Sequence, residues 1–390
     1  MLMKVLMIST DSKILDSGSA VRTRMVWYGA SCEELHIIVT KHESRNTPSS
    51  RAKLATGQAK HETKIQVAEN VFAYPATASN KILALFRAYH IGVSTFNFQL
   101  STFNWLVTSQ DPFETGFIGW LIAKKIKAKL QLQVHTDFLS PYFINGDFLN
   151  RIRILLARFL LPKADSIRVV SRRIADSLNA KRYTLNAVPK ILPIFVDIEK
   201  IRGTAPTIDL RKKYPQFDFL VLTTSRLTRE KNIELAIEAM REVAKKYPRA
   251  GLIIVGSGPE KSNLKLKTEN LKLADNVIFE EWSDDIVSYM KTADVFLNTS
   301  NYEGFGMSLV EAAASGCPIV STDVGIVGDI LRPEDVLVCS APDAGCISDQ
   351  LKRIIRFPEL RRELSLKAQT SIEALVTSKE EYLLKIGESW

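Results

Sequence analysis

Long hydrophobic runs, cysteine and Asp-x-Asp pairs are scarce or absent in this 390-residue sequence, and each absence excludes a class of protein. No apolar stretch approaches the roughly 20 residues that a membrane-spanning helix requires. The four cysteines include no Cys-x-x-Cys pair, which argues against a disulfide framework and predicts four reduced thiols. No Asp-x-Asp occurs and the five histidines lack metal-ligand spacing, so the sequence predicts no metal site.

The first nine residues, Met1–Ser9, are apolar enough to be mistaken for a secretory signal. They form only a short run, a polar stretch with Asp11 and Asp16 follows at once, and no small-residue cleavage site appears. A buried first β-strand explains this pattern better. The sequence therefore predicts a cytoplasmic protein.

Charge is unevenly distributed along the chain, whose formal net charge is +9. Residues 1–195 carry 26 Lys and Arg against 13 Asp and Glu, whereas residues 196–390 carry 26 against 30. This asymmetry favours an anionic partner for the first half: a nucleic acid, a membrane surface or an acidic acceptor. A basic but merely solvated surface is the alternative.

Composition and length predict an α/β protein of two domains. Hydrophobic residues make up 46% of the chain, which is enough for two cores. Short, continuously apolar segments such as Phe219–Thr224 and Gly251–Val255 alternate with amphipathic ones such as Asn232–Tyr247, a pattern typical of a parallel sheet covered on both faces. Prolines and glycines cluster around 193–216, so the predicted domains are 1–195 and 196–377, followed by an amphipathic tail at 378–390.

The most specific motif is Glu303-Gly-Phe-Gly-Met-Ser-Leu-Val-Glu311, which follows an apolar strand and opens a helix. Gly304 and Gly306 allow the backbone to approach a ligand closely. The free N–H groups of Gly306, Met307 and Ser308 at the helix start favour an anion. Glu303 and Glu311 can each bind a pair of hydroxyls, as a sugar joined through a diphosphate to a ribose requires. The alternative is a solvent-facing Glu303 and a salt-bridged Glu311.

Two further loops follow predicted strands of the second half. Ser225-Arg-Leu-Thr-Arg-Glu-Lys-Asn232 places Arg226 and Lys231 at the carboxyl end of a strand, where ligands bind in open parallel sheets. Both cations are suited to phosphate. The segment Val255-Gly-Ser-Gly-Pro-Glu260, with Gly256 at the strand end, is a weak dinucleotide fingerprint because it lacks the third glycine. Close helix–strand packing explains it equally well.

The first half contributes two candidate residues. Gly18 lies in Ser17-Gly-Ser-Ala20, a small-residue turn that suits close approach to phosphate or sugar, although a plain capped turn explains it as well. His135 ends the predicted strand Leu130–His135 and is followed by Thr136 and Asp137. A strand-end position makes a catalytic role for His135 as plausible as a structural one.

Together, Ser225–Asn232, Gly256–Glu260 and Glu303–Glu311 resemble the motifs of glycosyltransferase family 4. The resemblance covers about 193–331 closely and the first half loosely, through Gly18 and His135-Thr-Asp137. It implies the GT-B fold, in which two Rossmann-like domains face each other across a cleft with their parallel sheets. It also implies that the tail at 378–390 packs back on the N-terminal domain.

The resemblance further implies a retaining, metal-independent transfer of a hexose-like sugar from a UDP- or GDP-linked donor, with no cofactor. Arg226 and Lys231 are implied to bind the diphosphate, and Glu303 to contact the transferred sugar, with His135 as a fourth candidate catalytic residue. The implied donor-binding residues are Gly18, Gly256, Glu303, Gly304, Phe305, Gly306, Met307, Ser308 and Glu311, of which Glu311 would meet the ribose. The sequence departs from the family pattern at Pro193-Ile-Phe-Val-Asp197 and at Ser17, which affects the hinge and the first loop.

The acceptor is expected to be a glycan, a lipid-linked molecule or a small molecule held by the N-terminal domain. An anionic membrane surface is a further candidate partner, with the protein peripheral on its inner face, because Lys124–Lys129 and Arg151–Lys163 combine cations with apolar residues. A sugar-nucleotide epimerase, or a phosphorylase on the same fold, is an alternative enzyme. A basic nucleic-acid-binding protein is the alternative outside enzymes, but it leaves the Glu303–Glu311 motif unexplained, so no nucleic acid is expected.

Overall fold

Two β-sheets organise the chain. The computed structural model describes residues 3–42, 64–96, 104–180, 185–340 and 342–390. The first sheet has eight strands in the order β3-β4-β2-β1-β5-β6-β7-β8, all parallel except β3. Its strands are β1 (Lys4–Ser9), β2 (Glu34–His42), β3 (Ile65–Ala68), β4 (Val71–Ala78), β5 (Trp105–Ser109), β6 (Lys129–Val134), β7 (Ser166–Val169) and β8 (Lys190–Ile191).

The second sheet has six parallel strands in the order β11-β10-β9-β12-β13-β14. Its strands are β9 (Phe219–Thr224), β10 (Ala250–Val255), β11 (Val277–Glu280), β12 (Val295–Asn298), β13 (Ile319–Thr322) and β14 (Leu337–Cys339). The strand order reverses beside β9, because β10 lies on one side of it and β12 on the other. Ligands bind at such switch points, outside the carboxyl ends of the strands.

Helices connect the strands of both sheets. Those between β1 and β8 are α1 (Ala20–Gly29), α2 (Lys81–Phe96), α3 (Glu114–Ile126), α4 (Pro141–Gly146), α5 (Phe148–Leu160) and α6 (Arg172–Ala180). Those that follow are α7 (Ile198–Gly203), α8 (Leu210–Lys213), α9 (Ile233–Lys246), α10 (Lys261–Asn270), α11 (Ile286–Thr292), α12 (Met307–Ala314), α13 (Ala344–Arg356), α14 (Pro358–Ser371) and α15 (Lys379–Ser389). The alternation of strands and helices confirms the predicted α/β fold class.

The apolar runs that mark the strands are buried on both faces of each sheet. Along β9, Leu220 and Leu222 belong to one hydrophobic cluster while Phe219 and Val221 belong to another. Successive side chains of a strand point to opposite faces, so both faces of this sheet are covered. A strand buried on both sides has no reason to alternate with polar residues, which explains the continuous apolar pattern in the sequence.

The sheets divide the chain between Ile191 and Phe219, and the last helix returns to the first sheet. In α15, the carbonyl oxygens of Leu383 and Ser389 accept hydrogen bonds from Ser31 and Gln131. Tyr382 and Ile386 pack with Leu192 in one cluster. The domain limits at 195 and 377 stay predictions. Residues 43–66, whose polar and irregular sequence predicts a long loop, lie mostly outside the described residues, and the last two of them begin β3.

The prediction of four free thiols is wrong for one pair. Cys339 and Cys346 form a disulfide with their Cα atoms 6.0 Å apart, while Cys32 and Cys317 are free and buried. Cys339 ends β14 and Cys346 lies in the first turn of α13, so the intervening turn brings them within bonding range. This proximity arises from a strand–helix turn, and no Cys-x-x-Cys spacing signals it. Burial raises the pKa of the Cys32 thiol to about 12.

The described residues contain no helix whose length and apolar character would allow it to cross a bilayer.

Candidate active site

The candidate site forms where the loop after β12 meets the loop after β9. The Lys231 ammonium lies 2.5 Å from a carboxylate oxygen of Glu303, and the Ser300 hydroxyl donates to the same oxygen at 2.8 Å. The side chains of Lys231 and Glu303 are only 17% and 13% exposed. Two motifs separated by 72 residues are thus joined through an ion pair shielded from water, in which attraction is stronger than at an exposed surface.

The glycines of the Glu303 loop are required by close packing. A Cβ on Gly304 would lie 1.9 Å from the backbone oxygen of His135, so no other residue fits there. The Gly304 carbonyl also accepts a hydrogen bond from the Ser171 hydroxyl at 2.7 Å. Gly306 has φ +91°, a left-handed conformation that L side chains rarely adopt, just before α12 begins. The carboxyl ends of the first sheet therefore touch the second-sheet loop at Gly304.

The start of α12 combines buried and open positions. Phe305 is buried, and its carbonyl accepts from the Ile326 amide at 3.0 Å, which fixes the loop. Met307 is exposed and Ser308 half-buried. The first amides of a helix lack intrahelical acceptors, so the N–H groups of this turn are suited to an anion.

Glu311 lies in the second turn of α12 and is half-buried. Burial raises the pKa of its carboxyl. Among the described residues no cation pairs with Glu311. The salt-bridged, purely structural alternative for Glu311 therefore has no support there. A half-buried carboxyl with a raised pKa is suited to hydrogen bonding with hydroxyl groups.

The loops after β9 and β10 pack tightly against each other. A Cβ on Gly256 would lie 1.9 Å from the Ser225 carbonyl oxygen, and the Leu227 amide donates to the Ser257 carbonyl at 2.8 Å. Gly256 is thus explained by loop–loop contact beside the candidate phosphate loop. Sequence analysis had left this contact and a dinucleotide fingerprint open as alternatives.

Arg226 differs from Lys231 in its surroundings. Its side chain is 72% exposed, and its guanidinium lies 3.2 Å from Glu230. The structure brings Lys231 to Glu303 but leaves Arg226 at the rim. In the same loop the Thr228 hydroxyl is shielded from solvent and has no partner among the described residues. Sequence reasoning overlooked Thr228, since a threonine between two cations carries no signal of its own.

His135 follows β6 and lies where the two halves of the chain meet. Its Nε2 lies 2.9 Å from the Gln133 amide oxygen, and its backbone oxygen faces Gly304. Burial, together with the positive charges of Arg168 and Arg24, lowers the pKa of His135 to about 3. The imidazole is therefore neutral at physiological pH, which excludes it as a cationic partner for phosphate but leaves it able to donate or accept a hydrogen bond.

Gly18 lies apart from these loops. It is exposed in the turn before α1, where Ser19 caps the helix, and a Cβ placed on it would meet nothing within 4 Å. The structure thus shows an open turn at Gly18, with no close packing to the Glu303 loop.

A cavity of about 390 Å³ opens between the two halves beside Glu303. Its lining includes Asp137, Tyr142, Arg173, Tyr302, Glu303 and Asp323. Arg173 spans the cleft: its guanidinium pairs with Asp323 and donates to the carbonyls of Gly325 at 3.2 Å and Val327 at 2.7 Å. Sequence analysis missed Arg173, although it lies in the first turn of α6, shortly after β7.

Within the described residues no group of three or more His, Cys, Asp or Glu side chains is placed to hold a metal ion. The lack of a metal requirement stays a prediction, as do the roles assigned to individual site residues.

Comparison with known proteins agrees with this geometry. Residues 208–371 match the family Glycosyl transferases group 1. Alpha-monoglucosyldiacylglycerol synthase of Streptococcus pneumoniae is 28% identical over 229 residues, 55% of this chain and 51% of that protein. N-acetyl-alpha-D-glucosaminyl L-malate synthase of Bacillus anthracis is 24% identical over 220 residues, 56% of this chain and 57% of that protein. The chain spans about half the length of these curated relatives.

Solved structures show the fold over the whole chain. A sucrose-phosphate synthase from Thermosynechococcus elongatus superposes with a TM-score of 0.77 at 20% identity, covering 99% of this chain and 98% of that one. Anabaena HepE in complex with UDP-glucose superposes with a TM-score of 0.71 at 17% identity, with 99% and 98% covered. Both sheets therefore belong to a GT-B fold, as predicted.

Residues 208–371 are therefore similar to group 1 glycosyltransferases, and the whole chain has the GT-B fold. The resemblance deduced from the motifs is confirmed.

Proposed function

We propose that this protein transfers a hexose-like sugar from a UDP- or GDP-linked donor to an acceptor, with retention of anomeric configuration and without a metal ion, as a family 4 glycosyltransferase. The observation that carries the proposal is the ion pair of Lys231 and Glu303 at the strand switch point, 2.5 Å long and nearly shielded from solvent. It sets a phosphate-binding cation beside a hydroxyl-binding carboxylate, as the bond between a sugar and a diphosphate requires.

The proposal assigns each candidate residue to one part of the donor. Lys231 and, from the rim, Arg226 bind the diphosphate and stabilise the negative charge that develops as it leaves. Glu303 contacts the hydroxyls of the transferred sugar and Glu311 those of the ribose. Gly256, the segment 304–308 and Gly18 shape the surface on which the donor lies. The neutral imidazole of His135, whose backbone oxygen meets Gly304, hydrogen-bonds the sugar or the acceptor.

The proposed reaction exchanges one bond to the anomeric carbon for another. The bond from that carbon to the diphosphate oxygen breaks, the bonding pair leaves with the nucleoside diphosphate, and the acceptor oxygen bonds on the same face. The departing phosphate takes up the proton of the acceptor hydroxyl. This front-face route needs no carboxylate nucleophile.

The acceptor in this proposal is a glycan, a lipid-linked molecule or a small molecule, and the protein works at the cytoplasmic face of a membrane. Two similar proteins carry the name of a lipid in the name of their own activity, which supports a lipid acceptor in this proposal. One is the monoglucosyldiacylglycerol synthase already described; the other belongs to the human phosphatidylinositol N-acetylglucosaminyltransferase and is 33% identical over 137 residues, 35% of this chain and 28% of that protein. The basic excess of the first half supports association with anionic lipid.

A thermal-shift screen of UDP- and GDP-sugars, followed by transfer assays with Glu303→Gln, tests the proposal. A ligand that binds only the folded state raises its apparent stability. We expect Glu303→Gln to keep the shift caused by the free nucleotide and to lose most turnover, whereas Glu363→Gln on the exposed side of α14 keeps both. Near-normal turnover of Glu303→Gln would remove Glu303 from the site. An epimerised donor with no transferred sugar would favour the epimerase alternative.

A further inference from the structure

Helix α5 has two apolar faces, and only one of them packs on the core. Ile154, Ala157 and Leu160 are buried against the first-sheet core. On the opposite side Phe148 is 71% and Leu155 63% exposed, with Ile152 and Phe159 also exposed. The spacing of these four, at i, i+4, i+7 and i+11, makes a continuous stripe along the helix. Burial against the core therefore accounts for only three of the nine apolar residues in this helix.

Neighbouring helix α3 extends this stripe with an aromatic side chain. Trp120 contacts Phe159 edge to face, with ring centroids 5.2 Å apart. The Lys124 ammonium lies 5.5 Å from the Trp120 ring centroid, and the Lys163 ammonium lies 4.0 Å from that of Phe159. We call the surface formed by Phe148, Ile152, Leu155, Phe159 and Trp120 the docking face. Tryptophan and lysine on an apolar surface are the residues that favour the boundary between lipid headgroups and acyl chains.

The charges around the docking face are predominantly basic. Exposed cations flank it on α5, α3 and the turn after α5, namely Arg151, Arg158, Lys124, Lys125 and Lys163. Of the nearby carboxylates, Glu114 is already paired with Lys81 and Arg153, and the exposed Asp147 caps the start of α5. An exposed apolar stripe bordered by cations complements a bilayer that carries anionic headgroups.

The docking face lies next to the cleft in both sequence and space. Helix α4 joins His135–Asp137 to α5, and its residue Tyr142, which is 45% exposed, also lines the cavity beside Glu303. A molecule anchored in the bilayer at α5 would thus find the cavity at the end of the same helical hairpin. This proximity favours an acceptor whose tail stays in the membrane.

We propose that the docking face inserts into the acyl–headgroup boundary of an anionic bilayer and so presents the cleft to a lipid-linked acceptor. The docking itself rests on the exposed apolar and basic residues, whereas the acceptor class rests on the proposed function. Insertion by apolar side chains distinguishes this arrangement from electrostatic adhesion, because screening by salt weakens only the contribution of the charges.

Vesicle co-sedimentation of the full chain tests the proposal, with phosphatidylcholine vesicles and with vesicles containing phosphatidylglycerol, each at low and high salt. We expect pelleting with the anionic vesicles that high salt reduces but does not abolish. Phe148→Ser with Leu155→Ser should weaken binding at least about tenfold, since each side chain loses its apolar contribution. Leu366→Ser with Leu384→Ser, at exposed leucines of α14 and α15, is the matched control and should bind as the parent does.

Three results would overturn the proposal. The first is that the parent protein does not pellet with anionic vesicles. The second is that the control variant loses as much vesicle binding as Phe148→Ser with Leu155→Ser. The third is that light scattering shows a parent dimer which Phe148→Ser with Leu155→Ser converts to monomers, because the face would then bind a second copy of the chain. Circular dichroism and melting of each variant verify folding. Thermal shifts caused by nucleotide sugars, measured without vesicles, separate the two proposals. If the protein pellets with vesicles but no nucleotide sugar shifts its melting temperature, only the proposed transferase function is refuted. If a nucleotide sugar shifts the melting temperature but the protein does not pellet, only the docking face is refuted.

Discussion

Replacing Lys231 by methionine removes the cation that touches Glu303 and keeps most of the side-chain volume. If Lys231 stabilises the charge of the departing diphosphate, the loss of one such donor raises the barrier by about 2.7–4 kcal/mol. That corresponds to a roughly hundred- to thousandfold fall in kcat. Binding of the intact nucleotide sugar should weaken much less, because its diphosphate acquires the additional charge only as the bond to the sugar breaks.

The same substitution should also lower the free energy of unfolding, by an amount that depends on how deeply the Lys231–Glu303 pair is buried. Breaking a fully buried pair costs about 3–5 kcal/mol, and an exposed pair is worth about 0–1 kcal/mol. The Lys231 and Glu303 side chains are 17% and 13% exposed, which lies between these cases. Since Ser300 still donates to the Glu303 carboxylate, we expect a loss of about 1–3 kcal/mol and a Tm lower by a few degrees.

Initial rates with the donor found by the thermal-shift screen, measured beside the melting temperature, decide the matter. Lys267→Met is the control, because Lys267 is likewise a lysine in ion pairs, in its case with Glu234 and Glu238. These pairs join α10 to α9 outside the candidate site. It should lower Tm and leave kcat unchanged. A kcat loss below about threefold for Lys231→Met, alongside the expected fall in Tm, would show that the pair is structural and that phosphate binds elsewhere.

Three other predictions address the rest of the site. Gly304→Ala places a Cβ 1.9 Å from the His135 oxygen, so turnover should fall strongly, while Gly203→Ala, in open space at the end of α7, changes little in the same assay. Activity should survive EDTA; complete loss that added magnesium or manganese restores would contradict metal independence. Folding lowers the pKa of His135 from 6.5 to about 3, so as the pH falls the unfolded chain takes up a proton on His135 before the folded protein does. The free energy of unfolding should therefore decrease as the pH drops from 6.5 toward 3. His135→Gln should therefore lose less Tm than the parent between pH 7 and pH 5, and equal losses would place His135 in a more hydrated environment.

The positions of strands and site loops could be predicted where the order of apolar and polar residues along the chain determines them. Strand β9 is buried on both faces, so its apolar run stands out, and its observed limits match the prediction. Strands β3 and β4 were missed, because β4 contains Pro75 and mixes buried with half-buried positions. Such a strand shows neither a continuous apolar run nor strict alternation.

The pairing of side chains across loops could not be read from the sequence. Lys231 and Glu303 were each predicted to bind different parts of one donor, but their direct contact depends on how two loops 72 residues apart pack. Arg173 illustrates the same limit at greater distance, since its partner Asp323 follows β13 of the other sheet. Strand-end position identifies candidate residues, whereas only the three-dimensional fold decides which of them meet.

The return of α15 to the first sheet has a consequence for synthesis on the ribosome. The buried Arg168 guanidinium lies against Gln133 and the hydroxyl of Ser389, and Gln131 donates to the Ser389 carbonyl 258 residues downstream. Domains generally fold in the order in which they emerge. Here the first sheet stays uncovered at Arg168 while the whole second sheet is translated. The half of the chain made first is thus completed last, and during that interval the surface around Arg168 is open to non-native contacts.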